Sequence, residues 1–133
     1  MKIQAFLIAI AFVFLSLTSC SGAGSETIHV SMRDFSFTPD RFTVRAGTTV
    51  TLTIRNLGAL DHNFHIMDLG YFVEGPWSGT DETGVYQSHS DLPGGEVSTT
   101  SFIAPNTPGE YQILCSIPSH LELGMQATLT VTE

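Results

Sequence analysis

Hydrophobic and polar positions alternate with a period of two along several short segments of this chain. Residues 48–56, TTVTLTIRN, place Val50, Leu52 and Ile54 on one face and threonines on the other. Residues 27–32, TIHVSM, alternate in the same way. Because successive side chains of a β-strand point to opposite faces, this pattern predicts strands with one buried face.

Further strands are predicted in five other segments, which are separated by glycine, proline and polar turn signals. They are RFTV (41–44), HNFHIM (62–67), EVSTTSFI (96–103), EYQILCS (110–116) and MQATLTVTE (125–133). No stretch shows a helical stripe of useful length. Short strands with turn signals and no helices predict an all-β fold, a Greek-key β-sandwich or barrel of about 7–8 strands.

One long segment does not follow the alternation. Residues 68–95 are rich in Gly, Ser, Asp and Pro and contain the single tryptophan, Trp77. Loops of this length in a compact domain are usually functional or mobile. The segment is therefore predicted as a long loop, with room for one short strand or one helical turn whose position the sequence leaves open.

The first residues have the composition of an export signal. Lys2 supplies a positive charge, and an almost continuous apolar run follows from Ile3 to Leu17. The run is shorter than the roughly 20 residues of a membrane span and has the proportions of a signal-peptide core. It ends in LTSC, which resembles the bacterial lipobox, in which the cysteine, here Cys20, is acylated and becomes the mature N-terminus.

These features divide the chain into three parts. We predict a lipoprotein signal peptide over residues 1–19, a lipidated Cys20 with a flexible Gly/Ser tether over 20–26, and a single domain over 27–133. An ordinary cleaved signal peptide and an uncleaved anchor are the alternatives. The predicted location is outside the cytoplasm, with the lipid anchored in the bacterial cell membrane and the domain facing the periplasm or the cell exterior.

The charge balance bears on the class of partner. The 133 residues carry 5 basic against 13 acidic side chains, a net charge of −8. Nucleic acid is a poor partner for such a chain, because its phosphates would be repelled. A basic protein partner fits the charge, as does an acidic surface that only keeps the protein soluble.

The two cysteines cannot both serve a disulfide if Cys20 carries a lipid. Cys115 would then be the lone thiol of an exported protein, which is expected to be buried, reactive or bound to metal. In CSIPSHLELGM, residues 115–125, Cys115 precedes His120 by five residues, and His120 precedes Met125 by five. The alternation turns Cys115, Met125 and His62 towards the interior, so these three side chains and His120 are predicted to meet at one end of the sandwich.

The donor types narrow the choice of metal. Structural zinc sites favour Cys and His and rarely include methionine, and calcium and magnesium prefer oxygen donors. Two imidazoles and one thiolate with a weak thioether are the donors of a blue-copper electron-transfer site. His29 and His65 are predicted to face outward and His89 to lie in the long loop; a second copper site at His65 or His89 stays open.

Two stretches resemble the cupredoxins, the small type 1 blue-copper proteins that include plastocyanin, azurin and auracyanin. They are VSMRDFSFTPDRFTVRAGTTVTLTIRNLGALDHNFHI and the C-x4-H-x4-M loop, whose spacing is similar to the auracyanin type. The resemblance covers essentially the whole predicted domain. It implies a cupredoxin-like Greek-key fold and one type 1 copper ion held by His62, Cys115, His120 and Met125.

The resemblance also implies roles for the neighbours of the ligands. Asn63 would tie the two ligand-bearing segments together, and Ser116 with the backbone N–H groups near Cys115 would surround the thiolate. In this family the second histidine reaches the surface through an apolar docking patch. Here that patch would consist of Leu57, Ala59, Leu60, Pro118, Leu121 and Leu123.

The function that follows is that of a monomeric one-electron carrier and not an enzyme. The expected partners are a c-type cytochrome or a membrane electron-transfer complex, steered by Asp61 and Glu122 and met near the membrane through the lipid. Copper storage or delivery is the alternative function. Proteins of that kind tend to use exposed clusters of Met and His, whereas only Met32, Met67 and Met125 follow the predicted signal peptide. A multicopper oxidase or nitrite reductase would need further copper sites, and a CuA site would need two thiolates.

Overall fold

The computed structural model describes residues 24–77 and 83–133. The predicted signal peptide and Cys20 lie outside these residues. Nine strands lie within the described part of the chain. They are β1 (Ser25–Arg33), β2 (Ser36–Thr38), β3 (Arg41–Arg45), β4 (Thr49–Asn56), β5 (His62–Met67), β6 (Val85–Leu92), β7 (Val97–Ile103), β8 (Gly109–Leu114) and β9 (Gln126–Thr132).

The strands form two sheets that pack face to face. One sheet has the order β2-β1-β4-β7 and the other the order β3-β9-β8-β5-β6. β1 pairs with β4, and β3 with β9, in parallel, whereas the other pairs are antiparallel. The prediction of an all-β sandwich is therefore confirmed.

The buried core lies where the alternation predicted it. Val50, Leu52 and Ile54 of β4 are at most 1% exposed, and the inward residues of β9 pack against them from the other sheet. Threonines on the outer face of β4 pair across the strands instead, as in the 3.1 Å contact between the hydroxyls of Thr53 and Thr99. Period-two patterning alone thus separates the inner face of this sheet from the outer one.

Two strands lie outside the seven segments that were predicted as strands, which gives nine strands in place of 7–8. β2 has three residues and lies at a sheet edge beside β1. β6 lies inside the segment predicted as a loop. It pairs with β5 and forms one edge of the five-stranded sheet, whose other edge is β3. β1 also begins at Ser25, so Ser25 and Glu26, which the prediction placed in the tether, belong to a strand.

Residues 68–77 of that predicted loop cover the outer face of the five-stranded sheet. The backbone of Val73 exchanges two hydrogen bonds of 2.9 Å with the side-chain amide of Gln112 in β8. Trp77 and Val73 pack on a small apolar cluster that includes Leu114. Both faces of β5, and of β8 from Tyr111 to Leu114, are therefore buried.

Within residues 24–77 and 83–133 there is no apolar helix of the length that a bilayer crossing requires.

Candidate metal centre

Three donor side chains meet at one end of the sandwich. His62 is the first residue of β5, Cys115 follows the last residue of β8, and His120 lies in the loop between β8 and β9. The ligand atoms of these three buried residues all lie within 4.8 Å of one another. His120 Nδ1 lies 3.1 Å from His62 Nδ1 and 3.4 Å from Cys115 Sγ.

The loop from 115 to 125 is folded by its own backbone hydrogen bonds. Met125 N–H donates to His120 O at 2.9 Å, and Cys115 N–H donates to Met125 O at 3.2 Å. His120 N–H donates to Ile117 O at 3.0 Å, which closes a turn around Pro118. Met125 is fully buried beside Cys115 in the core cluster. The four residues predicted to converge therefore lie together, three through their donor atoms and Met125 through its backbone contacts and burial.

Burial sets the protonation of the thiol. It raises the pKa of Cys115, an effect that hydrogen bonds from the backbone N–H groups of Asn63 and Ile117 partly oppose. The Asn63 N–H lies 3.5 Å from the sulfur. In the metal-free protein the thiol is therefore protonated at neutral pH, and a metal ion would have to displace this proton.

Burial acts in the opposite direction on His120, because an imidazole becomes charged when it gains a proton. Desolvation and the neighbouring His62 ring lower the pKa of His120, and the carboxylates of Asp34 and Glu122 oppose this shift. A neutral imidazole with a free lone pair is the form that binds a metal ion.

Asn63 joins the two segments that carry the ligands. Its carbonyl oxygen accepts the Ser116 N–H at 2.7 Å, and its amide donates to Ser116 Oγ at 2.9 Å. The same amide donates to Asp91 on β6 at 2.9 Å. The side chain thus links β5, β6 and Ser116, the residue after Cys115.

His65 lies on the outer face of its sheet, as predicted, but it is buried and not exposed. It does point away from the core, but the 68–77 segment covers that face, and the Trp77 ring meets the His65 ring edge-on at 5.3 Å. Its ring nitrogens lie 3.0 Å from Ser88 Oγ and 3.1 Å from Ser116 Oγ. Burial lowers the pKa of His65, and the charge of Asp91 opposes that shift.

The other two histidines stand apart from the donor group. His29 is exposed, as predicted. His89 lies in strand β6 and not in a loop, and its Nε2 contacts Ser98 Oγ at 2.8 Å. Among the described residues, His62, Cys115 and His120 are the single set of His, Cys and acidic side chains with metal-binding spacing.

Two residues that contact the histidines, Asp34 and Phe35, were not predicted from the sequence. The Asp34 carboxylate lies 3.2 Å from His62 Nε2 and accepts backbone N–H groups of Ala59 and Leu60. The bond from Leu60 is the main cause that lowers the pKa of Asp34. The Phe35 ring meets His120 edge-on at 5.2 Å. The contact between Asp34 and His62 depends on the conformation of a turn and a loop. Hydrophobic periodicity predicts strands and helices and gives no information on such segments.

A shallow groove lies over the donor group at the surface. Its lining is formed by Ala59, Leu60, Asp61, Asp91, Ile117, Pro118 and His120. Leu57, Leu60 and Leu123 are 41%, 44% and 58% exposed, in agreement with the predicted apolar patch. Leu121 is an exception to that prediction, because it is buried with Met67 and Leu114 on the opposite side of the loop.

The donor set fits one type 1 copper ion. A triangle with edges of about 3.5 Å has its corners about 2 Å from its centre, which is the length of a metal–imidazole bond. Two of the three observed separations, 3.1 and 3.4 Å, are close to such edges, and the third is at most 4.8 Å. Two imidazoles and a thiolate, with a buried methionine next to them, are the donors that type 1 copper uses. The fold and this site together support a type 1 copper electron carrier.

Comparisons with known proteins agree with the site. A family model described as cupredoxin-like domain matches residues 6–131. A search of curated proteins by sequence finds no match. Dithionite-reduced auracyanin from the photosynthetic bacterium Roseiflexus castenholzii is similar in structure, with 28% identity and a TM-score of 0.69 over 84% of this chain and 100% of that chain.

Two further structures show how widely the fold is used. Auracyanin A, a "blue" copper protein from the green thermophilic photosynthetic bacterium Chloroflexus aurantiacus, has 26% identity and a TM-score of 0.69 over 82% of this chain and 100% of that chain. The multicopper oxidase mgLAC has 17% identity and a TM-score of 0.60 over 81% of this chain and 39% of that chain. The fold thus occurs in enzymes as well. Because the family model spans nearly the whole chain and the fold agrees with it, this chain belongs to the cupredoxin family.

Proposed function

We propose that this protein is a type 1 copper electron carrier that shuttles single electrons between membrane-associated redox partners. The observation that carries the proposal is that donor atoms of His62, His120 and Cys115 lie within 4.8 Å of one another in the buried end of a rigid sandwich. When bound, copper supplies a one-electron Cu(II)/Cu(I) couple. Met125 would supply the weak thioether donor, since it lies buried beside Cys115.

The protein contributes rigidity and exclusion of water. The backbone bonds of the 115–125 loop and the Asn63 side chain hold the donors from both sides. His62 and Cys115 have no exposed surface, so water does not reach their donor atoms. Donors that cannot move far favour electron transfer, because little reorganisation accompanies the change of charge.

A visible absorption spectrum of the full chain tests the proposal directly. We expect an intense red-absorbing band when Cu(II) is added, bleaching with ascorbate and returning on reoxidation. The Cys115→Ser variant should lack the band, because the band requires a thiolate bond to copper. A pale spectrum from the wild-type protein with copper bound would contradict the proposal and favour copper storage or delivery.

Reversibility separates the carrier from a copper-delivery protein. A carrier should retain its copper through repeated cycles of reduction and oxidation in the presence of a Cu(I) chelator. A delivery protein should lose copper to the chelator once it is reduced. Loss of the metal within a few cycles would therefore argue against electron transfer.

We propose that the protein is a carrier and not an enzyme. Its described residues bring together one His/Cys donor group, whereas oxidases and nitrite reductases combine several copper sites. Oxygen and nitrite should accordingly be reduced no faster by the copper-loaded protein than by free copper. Turnover of either compound that depends on Cys115 would overturn this part of the proposal.

The membrane location is also a proposal. LTSC at residues 17–20 and the apolar run before it support a lipid on Cys20 and a domain outside the cytoplasm. Mass spectrometry of the protein from membranes should find a chain that begins at acylated Cys20. A Cys20→Ala variant that remains membrane-bound and processed at the same residue would contradict lipid attachment.

The partner is proposed to be a basic redox protein such as a c-type cytochrome, or a membrane electron-transfer complex. The groove over His120 has apolar walls, and Asp61 and Asp91 contribute negative charge. Such a surface suits transient docking of a cationic partner. Each copy is proposed to act as a monomer.

A further inference from the structure

An exposed carboxylate reaches the buried ring of His62. Asp34, in the turn between β1 and β2, lies 3.2 Å from His62 Nε2 through Oδ1. That nitrogen is the one pointing away from Cys115 and His120, because His62 Nδ1 faces His120 Nδ1 at 3.1 Å. A carboxylate can only accept a hydrogen bond, so the proton of the neutral ring belongs on Nε2 and the lone pair on Nδ1.

We infer that Asp34 is a positioning residue for His62, which holds the ring in the tautomer that binds the metal and lowers the reduction potential of the copper centre through its negative charge. The inference rests on the proposed function, since a reduction potential requires bound copper. The tautomer of His62, in contrast, can be measured without any metal.

The same oxygen anchors the loop before His62. Asp34 Oδ1 accepts the Ala59 N–H at 3.1 Å and the Leu60 N–H at 3.2 Å. A Cβ atom at Gly58 would collide with this oxygen and lie 3.0 Å from the Asp34 backbone nitrogen. Glycine at position 58 therefore lets the loop approach closely enough for one oxygen atom to bind two backbone groups and the histidine.

The turn that presents Asp34 also contacts the second histidine. Phe35 has a φ of 66°, a left-handed conformation that costs energy for a residue with a side chain. Its ring packs edge-on against His120. Both imidazoles of the donor group are thus contacted by consecutive residues of one strained turn.

The charge of Asp34 should affect the two oxidation states unequally. A carboxylate is ionised at neutral pH and stabilises the more positive Cu(II) state more than Cu(I). Hydrogen-bond partners of metal-binding histidines typically change metal affinity 10–100-fold when they are removed. Because the carboxylate is partly solvated, an effect near the lower limit is expected.

Two substitutions separate the charge from the hydrogen bond. Asp34→Asn keeps an oxygen in the position of Oδ1, which makes the three shorter contacts, and removes the charge together with the 3.4 Å contact between Oδ2 and the Ala59 N–H. Asp34→Ala removes the charge and all of these contacts. The matched control is Asp61→Asn, which neutralises an exposed carboxylate next to His62 in the sequence and in the groove above the site.

The first measurement is the His62 tautomer in the copper-free full chain, from imidazole ¹⁵N NMR shifts. The wild type, Asp34→Asn and Asp61→Asn should hold the proton on Nε2. Asp34→Ala should shift a several-fold larger fraction to Nδ1. An unchanged tautomer in Asp34→Ala would overturn the positioning role.

The second measurement is the reduction potential of the copper-loaded variants. Asp34→Asn should raise the Cu(I)-to-Cu(II) affinity ratio severalfold, and the reduction potential with it, because the lost negative charge stabilised Cu(II) more than Cu(I). Asp61→Asn should shift it much less. Equal shifts in both variants, or none in Asp34→Asn, would overturn the charge effect. If the wild type forms no blue centre, the proposed function fails, while the NMR result still decides the role of Asp34.

Discussion

At the scale of single residues, burial determines the protonation state of the metal-binding side chains. Cys115 and His120 are buried, and burial favours the neutral form of both side chains. A neutral imidazole is ready to bind a metal ion, whereas a neutral thiol must first lose its proton. Copper uptake should therefore release a proton from Cys115 and weaken as the pH falls.

Met125 allows a test at this scale that leaves the fold intact. Replacement by leucine conserves volume and should cost less than about 1.5 kcal/mol of stability. The apolar side chain removes a weak donor, which destabilises Cu(II) more than Cu(I), so the potential measured by redox titration should rise. Met32 and Met67 are also buried and cannot serve as an exposed Met→Leu control. The unfolding free energy of Met125→Leu therefore serves as the check. Loss of copper altogether would show that Met125 holds the metal and does not merely tune it.

His65 predicts how stability depends on pH. Its folded-state pKa lies below that of an unfolded histidine, so the unfolded chain binds the proton more readily. Its contribution to stability is complete above about pH 6.5 and is lost as the pH falls through the folded-state value. Urea unfolding of the copper-free protein should show falling stability from pH 7 to 5.

The variant His65→Gln should reduce that pH dependence, because it removes the titrating group and keeps a polar side chain. His120 titrates in the same direction and should account for part of the slope that remains. An identical slope in His65→Gln and the wild type would contradict the assignment.

At the scale of secondary-structure elements, Asn63 fastens β5 to the loop that begins at Cys115. Replacement by alanine leaves the buried Ser116 N–H without its acceptor, so the copper-free protein should lose about 1–3 kcal/mol of unfolding free energy. Chemical denaturation measures the loss. The exposed Asn106→Ala is the control and should change stability by less than about 0.5 kcal/mol. Equal losses of unfolding free energy in Asn63→Ala and Asn106→Ala would show that the hydrogen bonds of Asn63 contribute nothing to stability.

The elements also show which parts of the fold a sequence can predict. Strands with one apolar face, such as β4, were located because burial imposes a period of two. β6 was not located from the sequence because it is an edge strand with polar residues on both faces. Edge strands commonly carry such residues. Leu121 was misplaced because it lies in a loop, where no periodicity says which way a side chain points.

The donor group was more predictable than its supports. His62, Cys115 and Met125 lie at the ends of alternating strands, so their direction follows from the strand pattern. Asp34 and His65 act through tertiary contacts that join distant segments. Their roles depend on a turn and on a covering segment, neither of which the local sequence specifies.

At the scale of the whole molecule, an acidic protein presents an apolar groove at its metal-binding end. Leu60→Ser should reduce the second-order rate of electron exchange with a cationic cytochrome by up to about tenfold without changing the potential, because it removes an apolar contact. Stopped-flow kinetics measures the rate, which should also fall as salt increases. Ile103→Ser is the control: this residue is 52% exposed and pairs with Thr49, at the end of β4 remote from Asn56 and Leu60. Comparable slowing in both variants would contradict docking at the groove.

The placement of β9 has a consequence for how the protein matures. β9 lies between β3 and β8, so the second sheet stays divided until β9 is inserted by pairing in parallel with β3, a contact between distant parts of the chain. Contacts of this kind form slowly. The loop that carries Cys115, His120 and Met125 joins β8 to β9, whereas His62 lies on β5, so the donor group is complete only when β5 has also paired with β8, again a contact between distant parts of the chain. Metal capture should therefore be a late step of folding, and the appearance of colour would report, in real time, the fraction of molecules that have completed their tertiary structure.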